Sequence, residues 1–137
     1  MTMYRIALAN LRFPATADES VALAKRAISE TAAEGAQLVC FPECFVPGYR
    51  APHKAVSPPK QAWLDHAWRA IAETAAQSDI AVILGTERVV NDVLLVTALS
   101  FSGTASSLAF KTKFNWLPAK KAPTRSVPAG TYSMKAR

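Results

Sequence analysis

Two short apolar runs, residues 4–10 and 37–41, flank a segment with a helical period, and this order narrows the possible folds more than any other feature. The first run carries Ile6 and Leu8 and has the length of a buried strand. Thr16 and Glu19 then stand at capping-box spacing, where a side-chain oxygen and a carboxylate satisfy the unpaired N–H groups of a helix start. Val21, Ala24, Ala27, Ile28 and Ala32 repeat on one helical face, and Gly35 is placed to end the helix. The second run is stopped by Pro42. Residues 43–59 read as a loop rich in Pro, Gly and aromatic residues. Ser57, followed by Pro58, predicts a second helix running to about Ala76, with Leu64, Ala67, Trp68 and Ile71 on its apolar face. Further strands are predicted at 80–85, at 93–101 and from 107 to 110, with a turn at 102–104. The order βαβαβββ is that of an α/β domain.

Charge divides the chain unevenly. Residues 1–110 hold nine Lys and Arg against all ten Asp and Glu, a net −1, whereas residues 111–137 hold seven basic residues and no acid, a net +7. The total of +6 over 137 residues would otherwise point to an acidic partner such as nucleic acid. The basic stretch also carries Pro118, Pro123 and Pro128 without apolar periodicity, so a composition boundary falls near Phe110 and the tail is expected to be poorly ordered. No apolar run reaches the ~20 residues of a membrane span, and the N-terminus lacks a secretory pattern, so a cytoplasmic location is expected. Cys40 and Cys44 lie too close in sequence to staple the fold, and with His53 and His66 they make no zinc spacing.

The segment from Cys40 to Tyr49 places Glu43 just past an apolar strand, beside a Gly, Pro and aromatic loop. Sites in α/β proteins gather at the carboxyl ends of strands, and partial burial would raise this carboxylate's pKa and make it a usable base. A solvated loop glutamate is the plain alternative. Cys40 is expected to point into the core, and Cys44 to be a small buried residue. His66 belongs on a solvated helix face, and Trp63 and Trp68 in packing.

Phe41-Pro42-Glu43 followed by Gly48-Tyr49 resembles the F-P-E-x-x-x-x-G-Y block of the nitrilase, or carbon–nitrogen hydrolase, superfamily. The strand and helix before it, and the helix and the strand ending at Gly85 near Glu87 after it, agree in order and spacing. The resemblance implies that residues 1–110 are the N-terminal half of a four-layer α-β-β-α sandwich. It also implies a hydrolase for amide, nitrile or carbamoyl substrates, without cofactor or metal. A cysteine attacks the substrate carbon, a glutamate takes the thiol proton, a lysine stabilises the tetrahedral anion, and water releases the acyl group. By position Glu43 is the base and Lys113 the lysine. Tyr49, Arg50 and His53 fall where the family lines its substrate pocket, though packing or solvation serves equally for them. Glu87 is a supporting acid behind the site. Family members are usually homo-oligomers, an expectation that half a domain weakens.

The family's nucleophile lies downstream of the lysine, and this chain has no cysteine after Cys44. The tail suggests why. The family expects K-[VI]-x-L-x-P-x-E-E-x-x-Y where this chain has Lys113-Phe114-Asn115-Trp116-Leu117-Pro118-Ala119-Lys120-Lys121. In the overlapping frame made of each codon's last base and the next two, Asn115 and Trp116 can only yield Leu. Lys113 and Phe114 yield Val or Ile, and Thr112 before Lys113 permits Lys. The codons around Lys120 and Lys121 permit a Glu pair. One base lost near the codon for Phe110 would explain the tail, and Lys113 would then be lysine by codon coincidence. A natural basic extension is the other reading. On either reading the chain is expected to be inactive, with sheet edges and an apolar sheet face uncovered. A non-catalytic protein whose tail binds nucleic acid or an acidic partner is the alternative function, with Phe114 and Trp116 available for stacking, but no nucleic-acid-binding signature supports it.

Overall fold

Thr16 starts the first helix as its spacing predicts. The computed structural model describes residues 3–50, 58–91, 93–102, 107–112 and 133–135. Helix α1 spans Ala17–Ala33, and the Glu19 N–H donates to Thr16 Oγ1 at 3.1 Å. The returning Glu19 carboxylate takes the N–H of Ala15, one residue before the cap, and also pairs with Arg12. At the other end Gly35 adopts φ +80, and the N–H groups of Gly35 and Ala36 close back onto the carbonyls of Ala32 and Thr31. Only a residue tolerant of left-handed backbone fits that position cheaply.

Helix α1 connects strand β1 (Ile6–Leu8) to β2 (Leu38–Cys40), and helix α2 (Gln61–Gln77) connects β2 to β3 (Ala81–Val90). Strands β4 (Val93–Phe101), β5 (Ser107–Thr112) and β6 (Ser133–Lys135) follow. The six strands lie in sequence order, the first three parallel and the rest antiparallel. Right-handed crossovers through consecutive parallel strands put both helices on one face of the sheet. Ile28, Leu64 and Ile71 from the helices and Val39, Val82, Leu84 and Leu99 from the sheet are fully buried between these two layers. Trp68 anchors α2, its indole N–H donating to the buried Thr86 hydroxyl at 3.0 Å. Trp63 is half-buried and donates to Asp18 on α1 at 3.0 Å, so both tryptophans serve packing as expected, and His66 is exposed.

The structure departs from the sequence reading in several places. Helix α2 begins at Gln61, capped by the backbone of Lys60. Pro59 disfavours helical backbone at the residue before it, which delays the start; Ser57 itself lies outside the described residues. Strand β3 continues to Val90, five residues past the expected end, because Thr86–Val90 pair in register with Val93–Thr97 of β4. Strand β5 runs through Phe110 to Thr112, and β6 pairs antiparallel with Ser107, Leu108 and Ala109. Cys40 is half-buried on the sheet face away from the helices, while its neighbour Val39 faces them at 0% exposure; the core position expected for Cys40 belongs to Val39.

No helix among the described residues is long and apolar enough to cross a membrane. On the face away from the helices Ile6, Leu8 and Ile83 are 54, 79 and 38% exposed, so an apolar sheet face is uncovered by the described residues, as the sequence predicts.

Candidate active site

Strand β2 does not simply end at Pro42. Its parallel register with β3 runs through Cys40 opposite Ile83, and the Phe41 N–H still donates to the Ile83 carbonyl at 2.8 Å. Pairing resumes with Val46 opposite Thr86, Val46 donating to the Gly85 carbonyl at 3.3 Å. Between those points the β2 side advances six residues and β3 three. The three extra residues form a turn that lifts Glu43 off the sheet, like a large bulge. Cys44 takes φ +51 in that turn, left-handed backbone that is uncommon for such a residue. Phe41, Phe45 and Val46 are buried at 7, 5 and 0%, which anchors the turn on both sides.

Gly85 makes this seating possible. A Cβ at position 85 would lie 2.0 Å from the Pro42 carbonyl oxygen and 2.7 Å from Glu43 Cα. Both are backbone atoms with no side-chain freedom to yield. Strand alternation turns Val82, Leu84 and Thr86 toward the helices and Ile83, Gly85 and Glu87 the other way. The turn therefore lies over Gly85 on the helix-free face. A glycine inside a strand marks such a close approach, a signal the sequence carries without naming what approaches.

Glu87 is 2% exposed beside the turn, and its carboxylate is held by both edges of one guanidinium: Arg50 Nε at 2.6 Å and Nη2 at 2.8 Å. The hydrogen bond to Glu87 raises the Arg50 pKa against the opposing effect of burial. Cys44 is 5% exposed, and its thiol is pushed up to about 12, first by burial and then by the negative charges of Glu87 and Glu43, with Arg50 opposing them.

Of the residues singled out from sequence, Glu43, Arg50 and Glu87 converge around Cys44. Glu43 is exposed, so the partial burial expected for it is not found. The turn projects it from the sheet. Tyr49 is 50% exposed, and Arg50 turns back onto Glu87. His53 and Lys113 lie outside the described residues. The sequence reading missed the Arg50–Glu87 pair and the role of Gly85. A cavity of about 410 Å³ adjoins the turn on its other side, walled by Pro14, Thr16, Pro47, Tyr49, Lys60 and Trp63. Glu43 is not among its walls, so the candidate base and this cavity do not coincide.

An exposed carboxylate presented from a strand end, with a charged pair behind it, can accept a proton from a group brought to it. Comparison with known proteins places the arrangement. Residues 5–135 match the carbon-nitrogen hydrolase family. An arylacetonitrilase of Aspergillus oryzae is 29% identical over 120 residues, which cover 75% of this chain and 33% of that protein. An amidase from Nesterenkonia sp. AN1, solved as a double mutant in complex with acrylamide, superposes with a TM-score of 0.68 at 21% identity, covering 95% of this chain and 54% of the amidase. A glutamine-dependent NAD(+) synthetase from Cytophaga hutchinsonii superposes at 0.60 and 19% identity, over 96% of this chain and 25% of that one. The fold is thus mixed α/β and corresponds to the N-terminal part of nitrilase-type structures. The chain spans about half the length of the amidase and a third of the arylacetonitrilase.

Proposed function

The chain belongs to the carbon–nitrogen hydrolase family, and from that premise we propose that Glu43 is the general base of a thiol hydrolase acting on an amide, nitrile or carbamoyl carbon. The observation that carries this reading is the turn itself: extra residues lift Glu43 from the end of β2, and Gly85, with no Cβ, lets the turn seat against β3. In the proposed reaction the carboxylate takes the thiol proton as sulfur bonds to the substrate carbon. For an amide, the proton leaves with the amine as the C–N bond breaks, and water then cleaves the thioester. Lys113 is proposed to stabilise the tetrahedral anion.

The same reading makes this 137-residue chain inactive, because no cysteine follows Cys44. We attribute the loss to the shifted frame beginning near Phe110. The purified chain is expected to release no ammonia from a panel of amides and nitriles, and measurable release overturns the inactivity. The nucleotide sequence tests the frame. Its alternative reading beyond codon 110 should encode a cysteine-bearing strand, and its absence sinks the idea. With that frame restored, Glu43→Gln should lower kcat by about 10²-fold or more, the usual contribution of a positioned base. Undiminished turnover would remove Glu43 from its assigned role.

A further inference from the structure

The backbone holds the Glu43 turn weakly. Among the described residues its backbone ties are Phe45 N–H to Pro42 O at 3.4 Å, Val46 N–H to Gly85 O at 3.3 Å and Gly48 N–H to Cys44 O at 3.2 Å. All are longer than the 2.9–3.0 Å at which such bonds are most often found. Cys44 adds the cost of left-handed backbone. The shortest contacts joining the segment to β3 are instead between side chains. Arg50 and Glu87, 37 residues apart, meet at 2.6 and 2.8 Å, and the carboxylate is 2% exposed. A bidentate guanidinium–carboxylate pair fixes direction as well as distance. Breaking it leaves a charge that is buried and unpaired unless the segment moves away and admits water.

We propose that the Arg50–Glu87 pair is a latch that holds the Glu43 turn closed on β3, so that both are positioning residues for Glu43. Released, the segment from Glu43 to Arg50 lifts from Gly85 while the sheet and helices stay folded. Local openings of this kind lie well below global unfolding in free energy. That the closed turn presents a base to a substrate rests on the function proposed above. The latch itself does not, and its test uses no turnover.

Cys44 is the reporter, since it is 5% exposed inside the turn, and Cys40, half-buried on β2, is the internal reference. The chain and its variants are pulsed with iodoacetamide at fixed pH, and the two thiols are quantified by peptide mass spectrometry. Arg50→Ala is decisive because two effects oppose. The Arg50 charge lowers the Cys44 pKa, so its loss from a closed turn slows labelling. If the pair is a latch, its loss opens the turn and raises the Cys44-to-Cys40 ratio by about ten-fold or more, the scale on which a buried charge left unpaired shifts a local equilibrium. Glu87→Gln should raise the ratio as well. Arg50→Lys keeps the charge without the fork and should raise it by about three-fold; it decides the matter where Arg50→Ala does not fold. A ratio at or below the parent's overturns the latch. Equal acceleration of both thiols also overturns it, since the pair would then support only the whole domain.

Discussion

Gly85→Ala should unseat the Glu43 turn. The added methyl would stand 2.0 Å from Pro42 O and 2.7 Å from both Pro42 C and Glu43 Cα. Ordinary contact begins near 3.5 Å, so the two backbones must separate by about 1.5 Å. Motion of that size ruptures the Val46 N–H bond to Gly85 O, already 3.3 Å long, at a cost of about 1 kcal/mol. It also disturbs the packing of Phe41, Phe45 and Val46, and overpacking in a filled site costs about 1–3 kcal/mol. The expected destabilisation is therefore about 2–4 kcal/mol, read as a lower urea midpoint at unchanged slope. The sign is as informative as the size. Alanine in an unobstructed strand stabilises relative to glycine by roughly 0.5–1 kcal/mol. Urea titration followed by circular dichroism, with Cys44 labelling in parallel, measures both effects. A variant as stable as the parent, or more so, with Cys44 still protected, would refute the seating of the turn on Gly85.

Three further outcomes follow from particular contacts. Thr16→Ala removes the acceptor for the Glu19 N–H and should cost about 1 kcal/mol in the same titration, whereas Thr16→Ser should cost a few tenths. The chain should lose stability in alkali. Cys44 ionises near 9 when unfolded and at about 12 when folded, so the native state holds the extra proton between those values, and unfolding free energy falls by up to ~1.4 kcal/mol per pH unit across that window. Cys44→Ser should flatten that fall. Leu8→Lys and Ile83→Lys place charge on the uncovered sheet face and should raise solubility while leaving the far-ultraviolet spectrum unchanged, because neither residue belongs to the core between sheet and helices. Unchanged precipitation in light scattering would show that this face does not drive association.

What could be read from the sequence was local. Thr16, Glu19 and Gly35 act within a few residues of themselves, and helix α1 follows their signals at both ends. The end of α2 was read to within a residue, although Asp79 rather than glycine takes the left-handed position there at φ +48. The carboxyl half of β3 was missed for another reason. The predicted strand ends at Gly85, yet of the residues that follow Thr86 alternates toward Trp68 and Glu87 toward Arg50. Both partners are supplied by tertiary contact, which no window on β3 contains. Glu43 was found through a short motif and Gly85 only as a motif member. Why position 85 needs glycine depends on the backbone approach of Pro42 and Glu43, far earlier in the chain.

Cys44 adjoins the proposed base, yet it fails as a nucleophile for reasons set by the same turn. With a thiol pKa of about 12, its thiolate fraction at neutral pH is ~10⁻⁵. Burial does most of this, and the nearby carboxylates of Glu87 and Glu43 add to it. Proximity to a base is no remedy when the thiolate would form in a desolvated position between negative charges. The peptide of Cys44 is also turned inward at φ +51 so that Glu43 can project outward. The geometry that presents the base thus buries its neighbour. In the proposed reading, a thiol able to use Glu43 must approach from the open side of the turn, above the face that bears Ile83 and Leu8. A segment packed there would cover the exposed apolar face and exclude water from Glu43 at once. In that proposed reading the exposed face and the exposed base of the described residues need one and the same cover, and the proposed reading frame, once restored, should supply it to both together.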